Sequence, residues 1–279
     1  MMTVTPLSKA VGARVDGIDL SHPLNDVDFD TLQDALHRHG FIVMKQQALT
    51  PQTMVEFARR WGRPQPHVID TFQHPEEADI LVLSNVYKDG KPTGLVDAGT
   101  YFHTDYSYLE QPARCTILYA RDVPEGRNGT TFANQRSAYA DLPLPRQQQL
   151  EGLVVQHHYG NREDLDKSSR TVASVLSQEQ QKRVSWVQHP LVRRHPFTDE
   201  PVLYAVSGSS FGIEGMSQAE ALGLLRELTD HATQDCYCHT NDYENDDVIV
   251  WDNALLLHSA PLIDLTRPRT LWRVTVMYS

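Results

Sequence analysis

The order of apolar and polar positions divides the chain into a mixed front third and a strand-rich remainder. Residues 13–20 read as a short strand, after which Phe29, Leu32, Ala35 and Leu36 recur at helical spacing within 29–39 until Gly40 closes the helix. Phe41-Ile42-Val43-Met44 is an apolar run of strand length. Thr50-Pro51 then opens a second helix, with a hydroxyl cap and proline at the first helical position, running to about residue 62. From Ile80 onward β-branched and aromatic runs dominate: ILVLSN, CTILYARDV, LVVQHHY, PLVRRHP, VLYAVSG, DDVIVWDN, ALLLHSA and TLWRVTVMYS, each with polar or turn-forming flanks. Two helices interrupt them. One starts near Ser137 and the other spans 217–233, with Ala221, Leu224, Leu225 and Leu228 on one stripe. Many short strands with long excursions between them predict an α+β fold, with a Greek-key double sheet of the jelly-roll kind carrying helices on its outside. No repeat, low-complexity tract or linker divides the chain, so one domain over 1–279 is expected.

Composition narrows the classes of function. With 279 residues, 40% of them hydrophobic, a substantial core can form. No apolar run approaches the roughly 18 to 20 residues needed to cross a bilayer, and the first residues lack the apolar stretch of a secretory signal; a soluble, cytoplasmic protein is expected. Lys and Arg number 25 against 36 Asp and Glu, a net charge of −11 with no basic block, which argues against nucleic acid or an anionic membrane as partner. Any anion must be held by a local site. Cys115, Cys236 and Cys238 make neither a disulfide framework nor a zinc motif and read as reduced thiols.

The chemistry is concentrated in a few segments. His103-Thr104-Asp105 places an imidazole and a carboxylate two residues apart, on one face of an extended chain, where both can reach one ion. In isolation such a tripeptide is more often a surface pair, so a third ligand is needed. His258, at the end of the apolar stretch 248–257, offers one. Two His and a carboxylate on one face of a metal, with three positions left open, is the arrangement of non-haem Fe(II) oxygenases. A zinc hydrolase can use similar ligands with a nearby general base, but no H-E-x-x-H is present. A non-enzymatic jelly-roll binding protein with incidental His and Asp is the other alternative. Arg269 and Arg273 share a strand face with Leu271. They read either as edge arginines in water or, in this acidic chain, as a local site for carboxylates.

Taken in order and spacing, His103-Thr104-Asp105, Trp251-Asp252-Asn253 with His258, and Arg269 resemble the taurine and 2,4-dichlorophenoxyacetate group of Fe(II)/2-oxoglutarate-dependent dioxygenases. The likeness extends to G-x-x-V-x-G-I-D-L near the start, F-A-R-R-W-G at 57–62, N-G-T-T-F at 128–132 and H-P-L-V-R-R-H-P at 189–196, and so covers nearly the whole chain. It implies a jelly-roll (double-stranded β-helix, cupin-like) core with flanking helices. It implies Fe(II) held by His103, Asp105 and His258, with 2-oxoglutarate and O2 as co-substrates. Arg269 and Thr131 are then expected on the far carboxylate of 2-oxoglutarate, with Trp251 packed near it and Asn253 orienting the turn before His258.

The same resemblance gives His67 and Arg273 the places that hold a substrate anion. Asp70 stands where the taurine enzyme has a tyrosine and Gly99 where it has an asparagine, which counts against taurine itself. Asp70 would suit a substrate that also carries an amine or hydroxyl. Tyr101, Tyr106 and Tyr108 crowd the metal motif and either pack against a larger or aromatic substrate, with Tyr106 placed among the substrate-binding residues, or fill the sheet; at least one is expected to face away. The implied reaction oxidises a C–H bond with release of succinate and CO2, by hydroxylation or another oxidation without halogenation, since Asp105 occupies the site a halogenase leaves for halide. The implied partner is a small anionic substrate, and the family often forms dimers or tetramers. His37, His39, His74, His157, His158, His189, His195, His231 and His239 receive no role.

Overall fold

The computed structural model describes residues 2–96, 99–160, 178–182 and 184–279. Four helices follow the sequence pattern, Asp26–His39, Pro51–Trp61, Gln135–Ala140 and Gln218–Ala232, and Leu144–Leu150 is a further helix that the pattern does not single out. Their ends are set by local chemistry. Thr50 caps the second helix through a reciprocal pair of bonds with Thr53, and Ser217 caps the last through Glu220.

Among the described residues the largest sheet has eight strands. Thr3–Pro6, Ala13–Asp16, Phe41–Met44, Val248–Asp252, Ala113–Asp122, Thr270–Met277 and Arg63–Pro64 follow one another across it, and Leu81–Ser84 also pairs with Thr270–Met277. The front third is therefore part of the same sheet, through Phe41–Met44 beside Val248–Asp252. A second sheet is three-stranded, with Thr130–Asn134 between Cys238–Asn241 and Leu256–Ser259. Thr130–Asn134, Cys238–Asn241 and Ser210–Ile213 are strands that the sequence pattern does not single out, being short and polar or glycine-containing. Asp235–Tyr237 forms a 3-10 turn immediately before Cys238–Asn241.

Period-two alternation sorts the side chains into layers. In Val248–Asp252, Val248 and Val250 pack with Phe29, Leu32, Leu36, Met54, Phe57 and Trp61 of the first two helices. Ile249 and Trp251 point the other way, into a cluster with Phe132 and Leu256 of the three-stranded sheet. In that second sheet Ala133 and Leu257 turn outward, onto Leu225 and Leu228 of the Gln218–Ala232 helix. The order is helices, large sheet, small sheet, helix. His258 follows Leu257, so alternation returns it to the side of Leu256, facing the space between the sheets.

Candidate active site

The two halves of the candidate metal centre are joined by backbone. His103 N–H donates to the His258 carbonyl at 3.0 Å and His258 N–H to the His103 carbonyl at 2.8 Å, an antiparallel pair that puts both imidazoles on one side, ring centroids 4.2 Å apart. Asp105 is buried beside them. Its Oδ1 lies 3.7 Å from His103 Nε2 and its Oδ2 3.7 Å from His258 Nε2, and the three candidate ligand atoms all fall within 4.8 Å of one another. The His103 Nδ1–H donates to the Tyr101 carbonyl at 2.9 Å, which leaves Nε2 as the nitrogen with a free lone pair, the tautomer a metal requires. Gly99, at φ +69°, lies against this ring; a Cβ there would come 2.3 Å from His103 Cε1. An asparagine at this position would collide with the ring where it stands.

Asp105 is held by more than the sequence suggested. Thr116 donates to Oδ2 at 2.6 Å, Arg273 Nη2 donates to Oδ1 at 2.7 Å, and the Asp105 backbone N–H reaches Asn253 Oδ1 at 3.3 Å. Asn253 also donates to Thr116 and accepts from the Trp251 indole. Burial by itself would raise the Asp105 carboxyl; the Arg273 guanidinium outweighs it and holds the group well below the usual carboxylate range. The same carboxylate outweighs burial at Arg273 and raises it. His258 is pushed down by burial and by His103, so it stays neutral. An ionised carboxylate and two imidazoles, convergent on one point, form a donor set that fits a divalent iron.

Two cavities meet at this cluster, sharing Gly99, His103 and Arg273. One, of about 460 Å3, is lined by Thr130, Trp251, His258, Arg269 and Leu271. Arg269, Leu271 and Arg273 do share a face there, and Arg269 Nη2 donates to the Asn128 carbonyl at 2.9 Å. Thr131 does not reach it. In Thr130–Asn134 it points with Ala133 to the outer side and bonds Thr240 Oγ1 at 2.7 Å, whereas Thr130 points inward with Phe132. The expectation for Thr131 is thus corrected to Thr130, one residue earlier and on the opposite face; the alternation about Phe132 was the signal.

The other cavity, of about 570 Å3, is lined by His67, Ile69, Leu95, Tyr101, Tyr106, Tyr108, Tyr159 and Asp105 among others. Here all three tyrosines of the metal motif face in, against the expectation that one would face away. The reason is that residues 105–108 form turns with Tyr106 at φ +57°, so strand alternation does not apply. Tyr159, missed in the sequence, packs edge-on against Tyr108 at 4.7 Å and is pushed up to about 12 by burial; all four phenols stay neutral. His67 accepts the Ile69 N–H at Nδ1 and is held at about 3 by burial and Arg273, so it too is neutral, with its proton on Nε2. Asp70 does not line this cavity: it is exposed, in an adjoining cleft that shares His67, Tyr106 and Tyr108 with it, and the carboxylate on Arg273 is Asp105.

Two histidines without an assigned role brace this arrangement. His195 Nε2 meets Asp252 Oδ2 at 2.8 Å, and Asp252 Oδ1 accepts the Ala254 N–H, fixing the turn that carries Asn253. His189 Nε2 donates to the Leu109 carbonyl at 2.9 Å, at the end of the tyrosine-bearing turn. Both lie in the H-P-L-V-R-R-H-P stretch.

A buried face of two imidazoles and a carboxylate, opening on a cavity with its own arginine, defines a non-haem Fe(II) oxygenase that takes a carboxylate co-substrate. The chain belongs to the taurine catabolism dioxygenase TauD, TfdA family, which it matches over residues 3–275, and is an Fe(II)/2-oxoglutarate-dependent dioxygenase using O2. It is 29% identical over 286 residues to the alpha-ketoglutarate-dependent 2,4-dichlorophenoxyacetate dioxygenase of Cupriavidus pinatubonensis, covering 99% of this chain and 98% of that one. Among solved structures it resembles a taurine dioxygenase from Burkholderia xenovorans (TM-score 0.82, 27% identity, 100% of this chain and 90% of that one). It also resembles AAD-2 in complex with Mn(II) and N-oxalylglycine (TM-score 0.82, 25% identity, 100% and 98%). The hydrolase and binding-protein alternatives are thereby replaced by an oxidoreductase. No helix among the described residues is long and apolar enough to cross a membrane.

Proposed function

We propose that this chain, acting as one dioxygenase domain on a jelly-roll core in the cytoplasm, oxidises a C–H bond of a small aryl compound with an anionic end, releasing succinate and CO2. His103, Asp105 and His258 would hold the iron, which when bound supplies the activation of O2. Arg269, Thr130 and Trp251 would seat 2-oxoglutarate, with Arg269 gripping its far carboxylate through paired hydrogen bonds. The observation that carries the reading is the meeting of two cavities at one His-Asp-His cluster, each lined by an arginine, one otherwise aromatic and one compact. Four neutral tyrosines and a neutral His67 suit the flat body of an aryl group, and Arg273 its anionic end. The dichlorophenoxyacetate relative supports that choice.

His67 would donate through Nε2, and the tyrosines would exclude water around the reacting carbon. The test is succinate formation and product mass with Fe(II), 2-oxoglutarate and a panel of aryloxyacetates, aryloxypropionates and alkylsulfonates. Hydroxylation of an aryloxy acid is expected. A preference for a neutral or purely aliphatic substrate refutes the substrate class, and sedimentation of the full chain reads the expected dimer or tetramer.

A further inference from the structure

Arg273 is placed to serve two masters. It is 8% exposed and lines both cavities, and its Nη2 is committed to Asp105 Oδ1 at 2.7 Å and to Thr275 Oγ1 at 3.2 Å. Its Nε, also buried, has no hydrogen-bond partner among the described residues. A buried donor without a partner is costly, so an anion entering the tyrosine-lined cavity would find a guanidinium both charged and under-satisfied. The carboxylate that already engages Arg273 is one of the three candidate metal ligands.

From this geometry we propose that Arg273 couples the substrate's anion to the metal through Asp105. With no anion present, the guanidinium competes with the cation for Asp105, withdrawing charge from the carboxylate and adding a positive charge beside the metal position. An anionic substrate group that takes up the guanidinium relaxes both effects, and Asp105 binds the cation more tightly. By linkage the metal must strengthen anion binding by the same factor. A neutral compound of the same shape leaves the pair undisturbed. The device rests on the metal site proposed above, and it gives that site a preference for charged over neutral substrates at the binding step.

The experiment is titration of the full-length metal-free protein with Mn(II), followed by calorimetry, alone and with saturating phenoxyacetate, methanesulfonate or phenoxyacetamide. The wild type is expected to gain fivefold or more in Mn(II) affinity with at least one of the anions and nothing with the amide. Arg273→Met is expected to bind Mn(II) more tightly than the wild type without any anion, and to show no anion effect. Failure of both anions to change wild-type affinity, an equal effect of phenoxyacetate and its amide, or an anion effect that survives in Arg273→Met, which would mean direct ligation of the metal, each overturns the coupling. If Arg273→Met fails to fold, the acid and amide comparison on the wild type still decides. A wild type that binds no Mn(II) at all overturns the metal site itself and is thereby distinguishable.

Discussion

Thr116→Val removes one oxygen from the network that holds Asp105 while keeping the shape of the side chain. Thr116 is fully buried, donates to Asp105 Oδ2 at 2.6 Å and accepts from Asn253 Nδ2 at 3.0 Å. The lost bond is to an ionised carboxylate, worth about 1.5–3 kcal/mol, and the Asn253 amide is left without that acceptor, at about 1–3 kcal/mol. The methyl that replaces the hydroxyl returns up to about 0.8 kcal/mol. A net loss of about 2–5 kcal/mol follows for the metal-free protein. Thr116→Ser keeps the hydroxyl and forfeits one buried methyl, about 1 kcal/mol. Urea unfolding of the three proteins without metal measures both losses, an unchanged slope showing that the same transition is compared. A valine variant within about 0.5 kcal/mol of wild type, or no less stable than the serine variant, refutes the claim that Thr116 bears on Asp105.

His103→Ala and His258→Ala should each give a folded protein that no longer supports Fe(II)-dependent decarboxylation of 2-oxoglutarate; wild-type turnover in either strikes that residue from the ligand set. Arg269→Lys keeps the charge but loses the planar fork, so the apparent KM for 2-oxoglutarate should rise at least about tenfold, or 1.4 kcal/mol, in steady-state assays. An unchanged KM would move that contact to another cation. His157 and His37 are buried and stay neutral down to about 3 and about 4, while unfolded imidazoles protonate near 6.5. The unfolded chain therefore binds more protons across that window, and stability falls as pH drops below about 6.5, by up to about 1.4 kcal/mol per pH unit for each group. Urea midpoints at pH 7, 6 and 5 that stay flat would contradict this.

The four helices that follow the sequence pattern and most strands were legible because hydrophobic periodicity and capping residues act locally. Thr50-Pro51, Gly40 and the Leu224-Leu225-Leu228 stripe state their own structure. Of the site, the His-Asp-His convergence was reachable from motif and order along the chain. What turned on facing was not. Thr131 and Thr130 are chemically identical and differ only in which side of Thr130–Asn134 they occupy, and Tyr106 escapes alternation through a backbone turn that no local pattern announces. Thr116 and Tyr159 come from distant segments, and Arg273's commitment to Asp105 depends on two strands packing in register, with Thr275 opposite Thr116.

The reciprocal backbone pair between His103 and His258, with Thr104 Oγ1 donating to the Leu256 carbonyl across a separation of 152 residues, has a consequence for how the chain reaches its working state. The ligand cluster is a product of long-range assembly, with no nascent form in either half, since the loop between its halves spans more than half the molecule. A divalent ion bound there is a removable crosslink: it restrains the same loop a disulfide between those positions would, and it stabilises only the state in which both sheets have closed. Metal scarcity would then act on lifetime as well as on turnover, with the unloaded enzyme the more readily unfolded and degraded form.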